Sequence, residues 1–118
     1  MENPLFRPDM DGQTIREGKT IAIIGYLTLI GTFIGITMNI EPKNAYARFH
    51  LRQAFGIHMV FFVFAIMNNM WGNLYGFYGI WVGYLVLWIY GFVGALNQKF
   101  NTIPFLGPYF QKWFTFVP

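Results

Sequence analysis

Residues 75–96, YGFYGIWVGYLVLWIYGFVGAL, form an apolar run without a single charged side chain. Its length matches the roughly 20 residues that an α-helix needs to cross about 30 Å of hydrocarbon. Apolar runs of similar length occupy residues 20–40 and about 51–70. None of these runs alternates polar and apolar residues as the strands of a membrane barrel do. The sequence therefore predicts an all-α membrane protein with three transmembrane helices.

The composition of the whole chain indicates lipid as its solvent. Of its 118 residues, 55% are hydrophobic and 11% are charged, whereas about a quarter of the residues of a soluble domain carry a charge. A single domain of this size, residues 1–118, buries only about two thirds of its surface on folding, so it cannot hide this many apolar side chains from water. The chain has no cysteine, which excludes disulfides and thiolate metal sites.

The segments between and beside the runs complete the predicted organisation. Residues 1–19 are a polar N-terminal tail, whose acidic character and lack of a cleavage pattern indicate that the first span stays in the mature protein. The second helix is expected to begin near Asn44, so that the charged groups of Arg48 and Arg52 stay hydrated at the level of the lipid headgroups. Prolines and glycines interrupt the tail 101–118. Its dense aromatic residues predict a short interfacial segment rather than a fourth span.

The positions of the cations give an expected orientation. If three helices cross the membrane, the N-terminal tail and the 68–73 connection share one side with three Lys and Arg residues, and the 41–52 loop and the C-terminal tail share the other with five. Cytoplasmic segments are enriched in these residues, which favours an N-terminus outside and a C-terminus in the cytoplasm. The cations are dispersed among apolar runs, so the pattern does not fit a nucleic-acid partner.

Glycines are spaced so that helices can approach closely. Lipid supplies no hydrophobic drive for helix association, so small residues that let backbones touch are typical of helix contacts in membranes. Two helix faces carry such glycines, and the two faces could face each other. They indicate either packing within one monomer or an interface in an oligomer or larger complex. The residues predicted to pack helices are Gly31, Gly35, Gly72, Gly76, Gly79 and Gly83.

The densest polar segment is residues 44–58, NAYARFHLRQAFGIH. On a helix, Arg48 and Arg52 form an i, i+4 pair on one side, and His50 and Gln53 lie on the far side. One interpretation is that the arginines contact acidic lipid headgroups or a partner's carboxylates, and that His50 and Gln53 bond a partner or a transported chain. The alternative is a helix end that fixes topology, with His50 and Gln53 satisfying groups of the bundle.

The sequence offers little material for catalysis. It contains no phosphate-binding loop, metalloprotease helix, dinucleotide fingerprint or nucleophile elbow. Serine is absent, and none of the five acids lies in a predicted span. His58 lies deeper in the second span, where a neutral histidine is tolerated, and it is poorly placed to share a metal with His50. We therefore expect a protein that is not an enzyme and that uses no cofactor or metal.

Two short elements resemble a known family. Residues 46–54, YARFHLRQA, are similar to the R-F-H/N-x-x-Q-A element that opens a membrane helix in small bacterial proteins related to the 20-kilodalton channel component of the chloroplast inner-envelope protein translocon. Residues 95–99, ALNQK, followed by residues 103–107, IPFLG, resemble the second signature of that family. Carried onto this chain, the family-defining positions are Arg48, Phe49, His50, Gln53, Lys99 and Pro104.

The resemblance implies an all-helical protein of the bacterial inner membrane, with chloroplast relatives that act in preprotein import. This chain departs from the chloroplast members in two respects that weaken a transfer of their function to it. The chloroplast members have four spans, and they tend to have asparagine where this chain has His50. We expect a subunit or accessory of a larger membrane assembly, with protein transport as the suggested pathway; the alternative is a homo-oligomeric channel or a lipid-interacting protein. The residues expected to contact a partner or lipid headgroups are Arg48, His50, Arg52, Gln53 and Lys99.

Overall fold

The computed structural model describes residues 12–99, 103 and 106–118. This part of the chain is helical and contains no strand, as the sequence predicts. The five helices in chain order are α1 (Gly12–Leu27), α2 (Leu29–Met38), α3 (Ala45–Trp71), α4 (Leu74–Leu96) and α5 (Gly107–Trp113).

The predicted first span, residues 20–40, is wrong because the helix breaks at Thr28. The backbone of Thr28 is extended (φ −152°, ψ 175°), and its side chain accepts a hydrogen bond from the Gly31 amide at 3.0 Å, which starts a new helix. α2 then folds back along α1, so that a Cβ added to Gly35 would lie 3.7 Å from the Cα of Gly25. α1 and α2 therefore form a hairpin. Within the described residues, two helices rather than three are long and apolar enough to cross a membrane.

Where the helix breaks between α1 and α2, side chains donate hydrogen bonds to the backbone carbonyls that lose their helical partners. The last carbonyls of a helix lack partners within the helix. Thr32 Oγ1 donates to the Gly25 carbonyl at 2.6 Å, and Trp88 Nε1 of α4 donates to the Tyr26 carbonyl. An interruption of a helix is tolerated at membrane depth where protein groups satisfy the backbone in this way.

The helix pair α3–α4 forms the long axis of the molecule. The Asn44 side chain caps α3 by accepting from the Ala47 amide at 3.0 Å, so the helix begins where it was expected. At 1.5 Å per residue, the 27 residues of α3 span about 40 Å and the 23 residues of α4 about 35 Å. Asn73 caps α4 by accepting from the Gly76 amide at 2.9 Å, directly after the chain reverses.

The core lies at only one end of this helix pair, where the hairpin packs against α3 and α4. Beyond Ile57 on α3, and before Gly91 on α4, the two helices carry mostly exposed apolar side chains. The molecule thus has a packed half and a bare two-helix half. The buried apolar core consists mainly of Ala22, Tyr26, Tyr46, Ala54, Ile57, Ala95, Ile103 and Phe110.

The C-terminal segment folds back onto the start of α3. Phe110 of α5 and Val117 after it are buried. Arg52 donates to the carbonyls of Gln111, Thr115 and Val117 at 3.3–3.4 Å. The segment thus contains a short helix, α5, which packs on the bundle.

Candidate functional site

A buried polar cluster joins three separate parts of the chain beside the first turns of α3. His50 is fully buried, and its ring nitrogens lie 2.6 Å from the Tyr26 hydroxyl (Nδ1) and 2.8 Å from the Lys99 carbonyl (Nε2). Gln53, also fully buried, donates from Nε2 to the Tyr26 hydroxyl at 3.0 Å and accepts at Oε1 from the Ile103 amide at 2.7 Å. The cluster therefore connects α1, α3 and the segment after α4.

The partners in this cluster determine where its protons lie. A carbonyl oxygen can only accept, so His50 Nε2 carries a proton that it donates to Lys99. The Tyr26 oxygen already accepts from Gln53, and its own proton is free to be donated to His50 Nδ1. His50 is consequently neutral and held in one tautomer, which we infer from the hydrogen-bond partners. Every hydrogen-bonding atom of its ring has a partner within the chain.

The two sequence elements of the family resemblance meet at this cluster. His50 and Gln53 from residues 46–54 contact the backbone of Lys99 and Ile103 from the second element. The Tyr46 hydroxyl adds contacts to the backbone carbonyl of Lys99 and to two carbonyls in the last turn of α4, at 3.2–3.3 Å. The polar atoms of His50 and Gln53 thus face groups of the same chain. Sequence reasoning missed Tyr26, although the hydroxyl of the one tyrosine in the apolar run 20–40 signals a need for a hydrogen-bond partner if that side chain is buried.

The cations gather at the same end of the molecule. Asn44 Nδ2 donates to the Thr14 carbonyl at 2.9 Å, which holds the first turns of α1 beside the start of α3. Arg48 reaches back to the Lys43 carbonyl at 3.1 Å. Residues 53–98 carry no charge at all. The Lys and Arg residues of the described part all lie at this end: Arg16, Lys19, Lys43, Arg48, Arg52, Lys99 and Lys112.

An apolar groove of about 450 Å³ runs between α3 and α4 in the bare half of the molecule. A Cβ added to Gly79 or Gly83 would meet nothing within 4 Å, so these glycines leave open space. Val60 and Phe64 form the opposite wall. At these two glycines, no side chain of the described residues covers the α4 backbone within 4 Å.

The remaining predicted packing glycines are used within the chain. Gly31 and Gly35 face α1 across the hairpin, so the two glycine faces do not face each other as was considered from the sequence. The reason is the reversal at Thr28, which turns the first glycine face inward. Gly72 and Gly76 lie against the Asn68 side chain at the end of α3.

His58 lies on α3 about two turns beyond His50, outside the polar cluster. It is nearly fully buried, and its Nδ1 lies 3.0 Å from the Tyr84 hydroxyl, while its Nε2 has no hydrogen-bond partner among the described residues. His50 and His58 therefore serve different partners. In the described part of the chain, no three His, Asp or Glu side chains converge as a metal site would require.

Comparison with known proteins finds no family model that matches the chain, and no curated protein or solved structure that is significantly similar to it.

Proposed function

We propose that this chain is a small, non-enzymatic integral membrane protein in which α3 and α4 cross the bilayer. The α1–α2 hairpin would enter the bilayer and leave it on the same side of the membrane. At about 15 Å, α2 reaches about half the thickness of the hydrocarbon. The observation that carries this proposal is that large apolar side chains are exposed along both candidate spans and on the outer face of α2, where Ile30 is 72% exposed.

The hairpin changes the expected orientation. The expected orientation came from comparing three Lys and Arg residues on one side of the membrane with five on the other, and it assumed three membrane-spanning helices. A hairpin instead returns the chain to the side of the membrane on which it began. Every cation of the described residues then faces one side, and the uncharged connection between α3 and α4 faces the other. By the enrichment of Lys and Arg in cytoplasmic segments, we place both the start of α1 and the C-terminal segment in the cytoplasm.

Within the membrane, we propose that the protein is a subunit or accessory of a larger assembly, and that a transmembrane helix of its partner docks in the α3–α4 groove. The support is the open space beside Gly79 and Gly83. Such space lets a second helix come close enough for backbone van der Waals contact, which drives helix association in lipid. The bacterial inner membrane and a role in protein transport are suggested by the family resemblance alone.

Bulky substitutions in the groove test the docking proposal. Gly79→Leu and Gly83→Leu should fill the open space, leave membrane insertion intact and shift the protein to a smaller complex on native gels. Val82→Leu is the matched control, because Val82 is 61% exposed and is not part of the groove lining. Unchanged complex size in both glycine variants would refute the docking site.

A second copy of the chain is the alternative occupant of the groove, so a homo-oligomer is the second candidate. Gentle extraction of the tagged protein followed by identification of co-purifying subunits distinguishes the two. Other membrane proteins in stoichiometric amounts support the accessory role, and recovery of this chain alone as an oligomer supports self-assembly.

A further inference from the structure

The charged residues of the described part lie together at one end of the molecule. The full chain carries eight Lys and Arg against five Asp and Glu, a net charge of +3, and nine of these charges belong to the described residues: seven Lys and Arg, with Glu17 and Glu41. All nine charges lie at the end formed by the start of α1, the start of α3, the end of α4 and α5, which we term the cationic end. The chain therefore has a positive net charge, and its described cations are concentrated at one end.

The exposed lysines of the cationic end stand beside exposed apolar side chains. Lys43 follows Ile40, which is 51% exposed, and Lys112 precedes Trp113, which is 61% exposed. Lys99 follows Leu96, which is exposed as well. Each cation thus sits at the border between an apolar surface and a polar one.

This border is where lipid headgroups lie. Long basic side chains extend from the edge of the hydrocarbon toward phosphate groups, and tryptophan and tyrosine concentrate at the same depth. α5 shows this pattern, with Lys112 flanked by the exposed rings of Tyr109 and Trp113. A water-soluble acidic ligand would neutralise the lysines and leave the adjoining apolar side chains in water, so a lipid satisfies both.

We propose that the cationic end binds the headgroups of anionic phospholipids, with Lys43, Lys99 and Lys112 contacting the phosphates. The proposal depends on the membrane placement given above and not on the groove between α3 and α4. Each basic residue near an anionic membrane surface strengthens association by about fivefold. Three lysines acting together therefore give a clear preference for anionic over zwitterionic lipid.

The test uses the full-length protein in nanodiscs that contain equal amounts of phosphatidylglycerol and phosphatidylcholine with identical acyl chains. Lipids that remain on the protein after mild detergent extraction are counted by native mass spectrometry. We expect phosphatidylglycerol to be enriched about fivefold or more among the retained lipids. The enrichment should fall as salt is raised to about 0.5 M, because salt screens exposed charges.

Two variants identify the residues responsible. The triple variant Lys43→Gln, Lys99→Gln and Lys112→Gln should lose most of the enrichment, and the charge-preserving variant with arginine at the same three positions should keep it. Equal retention of both lipids by the unmodified protein, or full enrichment in the glutamine variant, would overturn the lipid proposal. Failure of the protein to enter these nanodiscs would overturn the membrane placement as well.

Discussion

Removing the hydroxyl of Tyr26 should weaken the fold more than its small size suggests. Tyr26 is fully buried, and its oxygen connects His50 and Gln53. Tyr26→Phe retains the ring, and with it the edge-on contact with Phe92 at a centroid distance of 6.4 Å. The substitution therefore isolates the two hydrogen bonds.

The expected loss of unfolding free energy has two parts: the two hydrogen bonds themselves, and the buried polar groups that lose their partner. Hydrogen bonds between side chains in membrane proteins contribute about 0.6 kcal/mol on average, so loss of both bonds costs about 1 kcal/mol. His50 and Gln53 have no exposed surface, and a buried polar group left without a partner costs about 1–3 kcal/mol. We expect the free energy of unfolding to fall by about 2–4 kcal/mol.

The assay is unfolding of the purified full-length protein in mixed micelles by added sodium dodecyl sulfate, followed by circular dichroism. Tyr75→Phe is the matched control, because Tyr75 is 87% exposed, and it should leave the free energy of unfolding unchanged. If Tyr26→Phe is as stable as Tyr75→Phe, the polar cluster does not hold α1, α3 and the segment after α4 together.

Two further substitutions probe contacts that fix the packed half. Gly91→Ala should destabilise the protein by about 1–3 kcal/mol, since the added Cβ would lie 2.6 Å from the Tyr26 ring, whereas Gly79→Ala in the open groove should not destabilise it. Asn44→Ala removes both the N-cap of α3 and the bond to the Thr14 carbonyl, and should cost about 1–2 kcal/mol in the same unfolding assay.

The sequence predicted the helical class and the positions of α3 and α4 because both depend on local composition. Uncharged apolar runs of the right length are visible without any tertiary information. The break at Thr28 was missed for the opposite reason. No proline or charge interrupts residues 20–40, and the hairpin depends on contacts made by Thr32 and by Trp88, which lies on another helix.

The sequence drew attention to His50 and Gln53 but revealed neither Tyr26 nor the contacts that join the three side chains. The motif containing His50 and Gln53 identified two side chains that are both fully buried. Their partners include Tyr26, 24 residues before His50, and the Lys99 carbonyl, 49 residues after it. Periodicity within one helix carries no information about such distant contacts. The gathering of all described cations at one end likewise became visible only once the hairpin reversed the direction of the chain.

The measurement that tests the central claim most directly is the sidedness of single cysteines, and the chain offers a clean background because it has no cysteine of its own. Gln13→Cys, Glu41→Cys and Asn69→Cys replace exposed residues in the first turn of α1, just after α2 and in the last turn of α3. Labelling of intact cells with a membrane-impermeant maleimide should leave positions 13 and 41 unlabelled and modify position 69. Opposite labelling of positions 13 and 41 would show that residues 20–40 cross the membrane, and would contradict the account.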